Sequence, residues 1–176
     1  MSSLRLLNET VADTSVTSIE ITDVFTSDFS VYKIVSNLHF INDSDDIYIR
    51  YLSTGGNKIV DSQYDITGKM LRSGDSELER PINETNQTYG GYFSLTAGDE
   101  GAGAVMYVFT PFENDRYTFD IRQCSGYQPT AGYSYGYKGI GVYHDYASIS
   151  GICLYNGNGT DNFKGGKVRI YGVRVK

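Results

Sequence analysis

The residues best suited to recognition lie in one stretch, Gly126 to Tyr146, which is rich in tyrosine and glycine. Three of its tyrosines are spaced by two, so in an extended strand their rings project from one face. Tyrosine offers a broad amphipathic contact surface at small entropic cost, and glycine lets a partner approach the backbone closely. The candidate ligand-binding residues are Tyr133, Tyr135, Tyr137, Tyr143 and Asp145.

These rings are suited to stacking on a sugar, a base or a partner protein, and Asn156 could add a polar contact to a glycan. The same spacing also describes a strand whose aromatic face packs on its neighbours. Both interpretations of the tyrosines stay open at the level of sequence.

Catalytic and metal-binding patterns are weak. His144 and Asp145 could form half of a general base and its orienting partner, but no serine lies in a G-x-S-x-G context. The sequence has neither a Walker A loop nor an H-E-x-x-H motif. The acidic cluster Asp43, Asp45 and Asp46 could bind calcium, but it lacks the full EF-hand pattern, and hairpin tips are often acidic. We therefore predict no catalytic residue, no metal and no cofactor.

The two cysteines, Cys124 and Cys153, fall in different predicted strands. Zinc needs about four ligands, and only two histidines are present to help. We predict two buried, reduced thiols, and one cross-strand disulfide is the alternative.

The charge of the chain limits the classes of partner. Lys and Arg number 15 against 21 Asp and Glu, a net charge of −6, which disfavours duplex DNA because phosphate neutralisation drives that binding. The last 13 residues are basic and contain no acid. Their candidate partner-binding residues are Lys167, Arg169 and Arg174, although a strand with basic outward positions is the simpler interpretation.

No apolar run approaches the 18 residues of a membrane span, and the opening MSSLRLLNET lacks the apolar core of a signal peptide. We therefore expect no membrane association and no secretion. With neither nucleic acid nor membrane as a partner, the remaining classes are other proteins and glycans.

The elements that must position these residues are strands, because apolar residues recur with a period of two. Tyr32, Ile34, Leu38 and Phe40 share one parity, and similar alternation predicts that Phe119 and Ile121 point inward while Asp120 and Arg122 point outward. The run from Ala104 to Phe109 is apolar at every position, which predicts a central strand covered on both faces. Frequent Gly, Asn and Asp turns complete the pattern of an all-β antiparallel sandwich, jelly-roll-like, in a single domain over 1–176 with little or no helix.

Two glycines, Gly151 and Gly172, stand where the strand parity slips and predict β-bulges. The segment 67–88 is the least strand-like, and we expect a short helical turn or a long loop there.

The two ends of the chain carry a resemblance. A polar leader precedes the strand phrase TSDFSVYKI, and the chain closes on GGKVRIYGVRV, a strand that ends in a "YG" phrase followed by valine. Together they resemble small β-sandwich virion proteins of tailed bacteriophages, notably phages of aquatic bacteria, over about the first 40 and last 12 residues.

The resemblance implies a non-enzymatic virion structural protein, assembled in the host cytoplasm and bound to other capsid or tail proteins. A capsid decoration or appendage subunit is favoured over a tail component, with residues 1–14 as an arm that docks by strand addition. By the same resemblance a homo-oligomer, most often a trimer, would protect the sheet edges. The alternatives are a tail-fibre module that recognises host glycans and, third, a hydrolase on the same scaffold.

Overall fold

The computed structural model describes residues 4–40, 46–73, 79–94, 101–128, 132–157 and 159–174. Strands make up 65% of the structure, and the described residues form no helix. The twelve strands are β1 (Leu4–Val11), β2 (Ser18–Ile21), β3 (Val31–Phe40), β4 (Ile47–Ser53), β5 (Tyr64–Arg72), β6 (Glu79–Gln87), β7 (Tyr92–Ser94), β8 (Ala102–Phe109), β9 (Thr118–Gln128), β10 (Tyr133–Tyr143), β11 (Ile149–Asn156) and β12 (Phe163–Val173).

The strands form two antiparallel sheets, which confirms the predicted all-β sandwich. The large sheet has eight strands in the order β1-β12-β3-β8-β9-β10-β5-β6, and the small sheet has four in the order β2-β11-β4-β7. The small sheet covers only part of the large one, so the two sheets enclose one core and leave the opposite face of the large sheet to solvent or to a partner.

The core follows the predicted alternation in the best-patterned strands. Tyr32, Ile34, Leu38 and Phe40 of β3 are all fully buried. The inward residues of β4 and β11 pack against them from the small sheet. Burying a large apolar side chain contributes about 1.5–3 kcal/mol, which makes this layer the main source of stability.

Segment 67–88 contradicts the sequence prediction, because most of it belongs to the hairpin of β5 and β6. Gly68 interrupts the pattern of β5 for a packing reason: a Cβ there would lie 2.6 Å from the ring of Tyr137. Glycine at this position therefore lets β5 pair with β10 beside the Tyr137 ring.

The predicted N-terminal arm is a strand of the chain's own sheet over its described residues. Leu4 to Val11 pair with β12 from Val173 to Lys167, with a register shift between Leu6 and Asn8. These residues therefore pair with the chain's own last strand, and their docking on another protein by strand addition stays a prediction.

Of the two predicted bulges, one is confirmed. The register between β11 and β4 shifts between Ile149 and Gly151. Gly172 pairs in regular register and is small for another reason, since a Cβ there would lie 2.6 Å from the ring of Phe29. The bulge of β12 lies between Phe163 and Gly165 instead.

The cysteines are buried in opposite sheets, Cys124 on β9 and Cys153 on β11, and neither forms a disulfide. Burial raises the pKa of the Cys153 thiol to about 11. The predicted burial of both thiols is confirmed, and the two cysteines form no disulfide with each other.

The alternation in β9 is the reverse of the predicted one. Asp120 and Arg122 are 3% exposed, whereas Phe119 and Ile121 are 50% and 45% exposed. The sequence-based prediction assumed that the apolar residues of β9 point inward. That assumption fails when the polar residues of the strand have hydrogen-bond and charge partners in the core.

Inside the sandwich, Asp120 and Arg122 pair with each other and with neighbouring groups. Arg122 Nε donates to Asp120 Oδ1 at 2.7 Å, and the Tyr51 hydroxyl donates to Asp120 Oδ2 at 3.1 Å. The Arg122 guanidinium also donates to the carbonyl of Gly90. Because both charges are paired and hydrogen-bonded, their burial is tolerated.

Gly141 of β10 makes room for this pair. A Cβ at Gly141 would lie 2.6 Å from both Arg122 Nη2 and Asp120 Oδ2. A methyl group there would force apart the two side chains whose contact compensates their desolvation.

We predict that Gly141→Ala destabilises the protein by about 1–3 kcal/mol, because the added methyl overpacks the buried ion pair. Gly103→Ala is the matched control, since a Cβ at Gly103 meets nothing within 4 Å and alanine loses less entropy in a strand. Urea unfolding followed by circular dichroism measures both. Equal unfolding midpoints for the two variants would contradict the placement of Gly141 against the buried ion pair.

Candidate binding surface

The inward ion pair leaves an apolar row on the outside of the large sheet. Phe119 and Ile121 alternate with Asp120 and Arg122, so they point away from the core. Ile140 lies directly opposite Ile121 on β10 and is 53% exposed. Tyr107 lies opposite Ile121 on the other side, on β8, and extends the row.

Most of the exposed large hydrophobic side chains of the described residues lie on this one face. The exceptions are Val60, Tyr117 and Tyr146, which lie outside the strands. The pairing of β1 with β12 places β1 residues on the same face, and the pairings of β5, β9 and β10 place the rest. We call this surface the outer face; its exposed apolar residues are Leu4, Leu6, Val11, Leu71, Phe119, Ile121, Tyr127 and Ile140.

The outer face is concave over its centre. A cleft of about 820 Å³ lies above β5, β8, β9 and β10, with Ile121 and Ile140 on its floor. A second hollow of about 360 Å³ adjoins it toward Phe119 and Val142 and shares those two isoleucines. The volumes are in the range of ligand sites, and the floor is apolar, as such sites usually are.

Charged residues at one side of the cleft are basic. Lys69 and Lys138 line it, and they lie directly opposite each other on β5 and β10. Lys33 Nζ lies 5.7 Å from the centre of the Tyr107 ring. Among the described residues, those that line the cleft include no Asp or Glu.

The run from Ala104 to Phe109 forms β8, which is central but covered on one face only. Ala104, Met106 and Val108 are buried in the core, whereas Val105 and Tyr107 line the outer cleft. The predicted second cover is absent from the described residues, so the apolar run instead contributes to the outer face.

The small sheet differs in how its outer side is occupied. Lys58 bridges Glu20 at 2.8 Å, and the Arg50 guanidinium lies 4.6 Å from the ring centre of Tyr155. Polar and charged groups therefore satisfy one another there, and of the two sheets only the large one has exposed large hydrophobic side chains among its described residues.

The predicted tyrosine platform is divided by the structure. Tyr137 and Tyr143 are each 1% exposed and belong to the core, because their parity faces the small sheet. Burial raises the pKa of Tyr137 to about 12. The Tyr143 ring packs on Tyr64 with centroids 5.0 Å apart. Neither ring is available to stack on an external ligand, so the packing interpretation holds for these two.

Tyr133 and Tyr135 remain partly exposed at the far end of β10. Their ring centres lie 6.5 Å apart, and Arg72 lies 4.7 and 5.2 Å from them. Ten residues of strand separate Tyr133 from Tyr143, about 33 Å. Asp145 follows Tyr143 and accepts from its own neighbour, the backbone N–H of Tyr146, at 2.7 Å. The structure therefore does not bring Asp145 to the exposed tyrosines.

The other predicted polar contact, Asn156, is fully buried, and its Oδ1 accepts from the backbone N–H of Gly159. It holds a turn of the chain. It is therefore not placed to contact a glycan.

The predicted basic residues of the last strand are largely engaged within the chain. Arg169 Nε lies 2.6 Å from Glu9 Oε2, and Lys167 Nζ lies 3.3 Å from Glu9 Oε1. These ion pairs lower the pKa of Glu9, chiefly through the hydrogen bond from Arg169. They join β12 to β1. Arg174 is exposed just beyond β12 and stays a candidate.

No catalytic arrangement is evident in the described part of the chain. His144 Nδ1 lies 3.3 Å from Asp65 Oδ2, with the Tyr117 ring nearby. Groups of three or more potential metal ligands do not occur among the described residues. Two members of the acidic cluster that was weighed for calcium, Asp43 and Asp45, lie outside the described residues. Nor does any helix in the described ranges have the length and apolarity to cross a membrane.

The sequence analysis did not include Ile140 among the candidate binding residues, and it placed Phe119 and Ile121 in the core. A signal was present: in GYKGIGVY, Ile140 has the opposite parity to Tyr137 and Tyr143, so β10 carries apolar residues on both faces. A strand of this kind predicts burial on both sides, or one face reserved for a partner.

No protein-family model matches the chain, and a search of curated proteins finds no similar sequence.

We predict that Ile121→Ser and Ile140→Ser change the free energy of unfolding by less than about 1 kcal/mol, because both side chains are half exposed in the isolated chain. Ile34→Ser and Ile170→Ser, which remove the same atoms from fully buried positions, should cost more than about 3 kcal/mol. Urea unfolding of the four variants distinguishes the two faces. A large loss of stability in Ile121→Ser would instead indicate that Ile121 points into the core.

Proposed function

We propose that the chain is a non-enzymatic structural subunit of a bacteriophage virion, most closely a capsid decoration or appendage subunit, which attaches to other virion proteins through the outer face. The observation that carries the binding role is the concentration of exposed apolar residues, led by Phe119, Ile121 and Ile140, on one face of the sandwich. Soluble monomers seldom expose apolar patches of more than a few hundred Å², and larger ones mark interaction sites.

The virion assignment rests on the resemblance of the opening and closing stretches of the chain. Their two strand phrases form β3 and β12, which are neighbours in the large sheet, and β12 also pairs with β1. A trimer, if the subunit forms one, would bury the sheet edges at β1 and β6, which are unpaired on one side among the described strands.

We predict that the chain co-purifies with phage particles from cells that carry its gene, detected by antibody labelling after density-gradient centrifugation. A tagged Ile121→Glu variant should fail to join the particles, because a charge in the apolar face is desolvated on docking. Val60→Glu is the matched control, since Val60 is at least as exposed as Ile121 but lies off the outer face. Particles devoid of the chain would refute the virion role, and equal incorporation of both variants would refute the docking face.

The second candidate is a tail-fibre module that binds a host glycan. Tyr133 and Tyr135 favour it, since they are partly exposed beside Arg72, and paired aromatic rings are suited to stacking on sugars. The site is smaller than the sequence predicted, because Tyr137 is in the core.

If this candidate is correct, the purified chain binds a glycan on an array of bacterial surface polysaccharides, and Tyr133→Ala with Tyr135→Ala abolishes the signal. Tyr107→Ala, an aromatic residue on the outer face, serves as the control and should leave glycan binding intact. Absence of binding across the array, or equal loss in the control, would remove this candidate.

A further inference from the structure

Two exposed tyrosines contact each other at one end of the sandwich, away from the outer face. Tyr117 directly precedes β9, and Tyr146 lies in the connection between β10 and β11. The two residues are 37% and 61% exposed, and their ring centres lie 5.0 Å apart with 39° between the ring planes. We call these two residues the loop pair. They are distant in the sequence, so the antiparallel pairing of β9 with β10 brings them together.

The backbone holds both members of the loop pair in place. Thr118, which follows the first tyrosine, lies opposite Tyr143 where β9 and β10 pair. The Ile149 N–H donates to the Pro111 carbonyl at 2.8 Å, which ties together the two segments that carry the tyrosines. The Asp145 carboxylate accepts from the N–H of the second tyrosine at 2.7 Å. A reaction between the two rings therefore needs no large movement of the chain, and such proximity favours reaction within the molecule.

The two hydroxyl groups of the loop pair also meet. A hydrogen bond with the Tyr146 hydroxyl is the chief reason why the pKa of Tyr117 is raised above its usual value, and the Asp145 carboxylate adds to the effect. When a phenol loses a hydrogen atom, the ring carbons next to its oxygen carry much of the unpaired spin. Because the two hydroxyls are in contact, these reactive carbons of the two rings lie close together.

Other tyrosine pairs among the described residues are less exposed or further apart. The Tyr64 and Tyr143 rings also lie 5.0 Å apart, but each residue is 1% exposed. Tyr133 and Tyr135 are partly exposed, but their ring centres are 6.5 Å apart. In the loop pair both residues are more than a third exposed and the rings are close. An oxidant too large to enter the protein therefore reaches this pair first.

We propose that the loop pair is a cross-linking site, at which a haem peroxidase with hydrogen peroxide as the oxidant joins the two rings through a carbon–carbon bond. Each phenol loses one electron and one proton, and the two phenoxyl radicals combine at carbons next to their oxygens. The hydrogen atoms on those two carbons then move to the oxygens, which restores both phenols. Hydrogen peroxide accepts the two electrons and two protons and becomes two molecules of water.

The cross-link closes the hairpin of β9 and β10 at its open end, because the loop pair flanks the two strands. A covalent bond there limits the freedom of the unfolded chain, as a disulfide does, and so stabilises the folded chain. The same two strands carry Ile121 and Ile140 of the outer face. The loop pair lies outside that face, so the bond strengthens the strands that present it and leaves it uncovered.

The test treats the dilute, purified chain with the peroxidase and hydrogen peroxide. We expect the blue fluorescence of dityrosine, a monomeric product lighter by two hydrogen atoms, and a cross-link between the tryptic peptides that contain Tyr117 and Tyr146. Tyr117→Phe and Tyr146→Phe should each lower the fluorescence about tenfold, because phenylalanine forms no phenoxyl radical and the remaining tyrosine has no close, exposed partner.

Two matched variants each remove a tyrosine from another pair. Tyr135→Phe alters the more distant pair, and Tyr48→Phe alters a pair with Tyr89 whose ring centres lie 4.9 Å apart but which is less exposed. Both variants should form the cross-link as fully as the parent chain. Oxidation should also raise the melting temperature of the parent chain by roughly 5 °C or more, but not that of Tyr117→Phe.

Three results would overturn the proposal: cross-linked peptides that lack Tyr117 or Tyr146, equal fluorescence from Tyr117→Phe and the parent chain, or covalent dimers as the sole product in dilute solution. A melting temperature unchanged by complete cross-linking would refute the closure of the hairpin. All these measurements use the isolated chain. The cross-link can therefore form where the virion role fails, and can be absent where the chain is found in particles.

Discussion

The buried pair of Asp120 and Arg122 is the interaction on which the arrangement of the large sheet depends. Burial would lower the pKa of the Arg122 guanidinium, but the adjacent Asp120 carboxylate outweighs this and raises it, so the arginine stays charged. The pair spans i to i+2 of β9, so both residues must point to the same side of the sheet. Once they point inward, Phe119 and Ile121 must point outward. A single polar contact in the core thus determines the apolar character of the surface.

The neighbours of β9 adapt to the pair. Gly141 leaves the space that the two charged side chains occupy, and Tyr51 reaches across from the small sheet to donate to Asp120. Burial raises the pKa of the Tyr51 hydroxyl well above its usual value, and the nearby carboxylate raises it further, so Tyr51 remains a donor. The polar network links the two sheets where the rest of the core is held by aromatic and aliphatic packing. A network of this kind is directional, and it specifies one register between the sheets in a way that apolar contacts do not.

The same constraint connects the core to recognition. The outer face is apolar because Asp120 and Arg122 of β9 point into the core, so that Phe119 and Ile121 point outward. Lys69 and Lys138, which pair across β5 and β10, line its cleft. The exposed tyrosines at the end of β10 form a second, smaller surface, since the register of that strand puts Tyr137 and Tyr143 in the core.

The sequence by itself determined the class of fold and the core of β3, because a period of two over Tyr32, Ile34, Leu38 and Phe40 has one stable solution, a strand with one buried face. It did not determine the orientation of β9 or the strand nature of 67–88. In β9 either the apolar or the polar residues could have faced inward. The choice depended on Tyr51, which lies 69 residues from Asp120 along the chain, and on the carbonyl of Gly90, which lies 32 residues from Arg122. For 67–88 the pairing of Gly68 beside Tyr137 mattered, a contact across 69 residues. Local pattern decides whether a strand forms, whereas partners distant in sequence decide which of its faces is inside and so where the protein can bind.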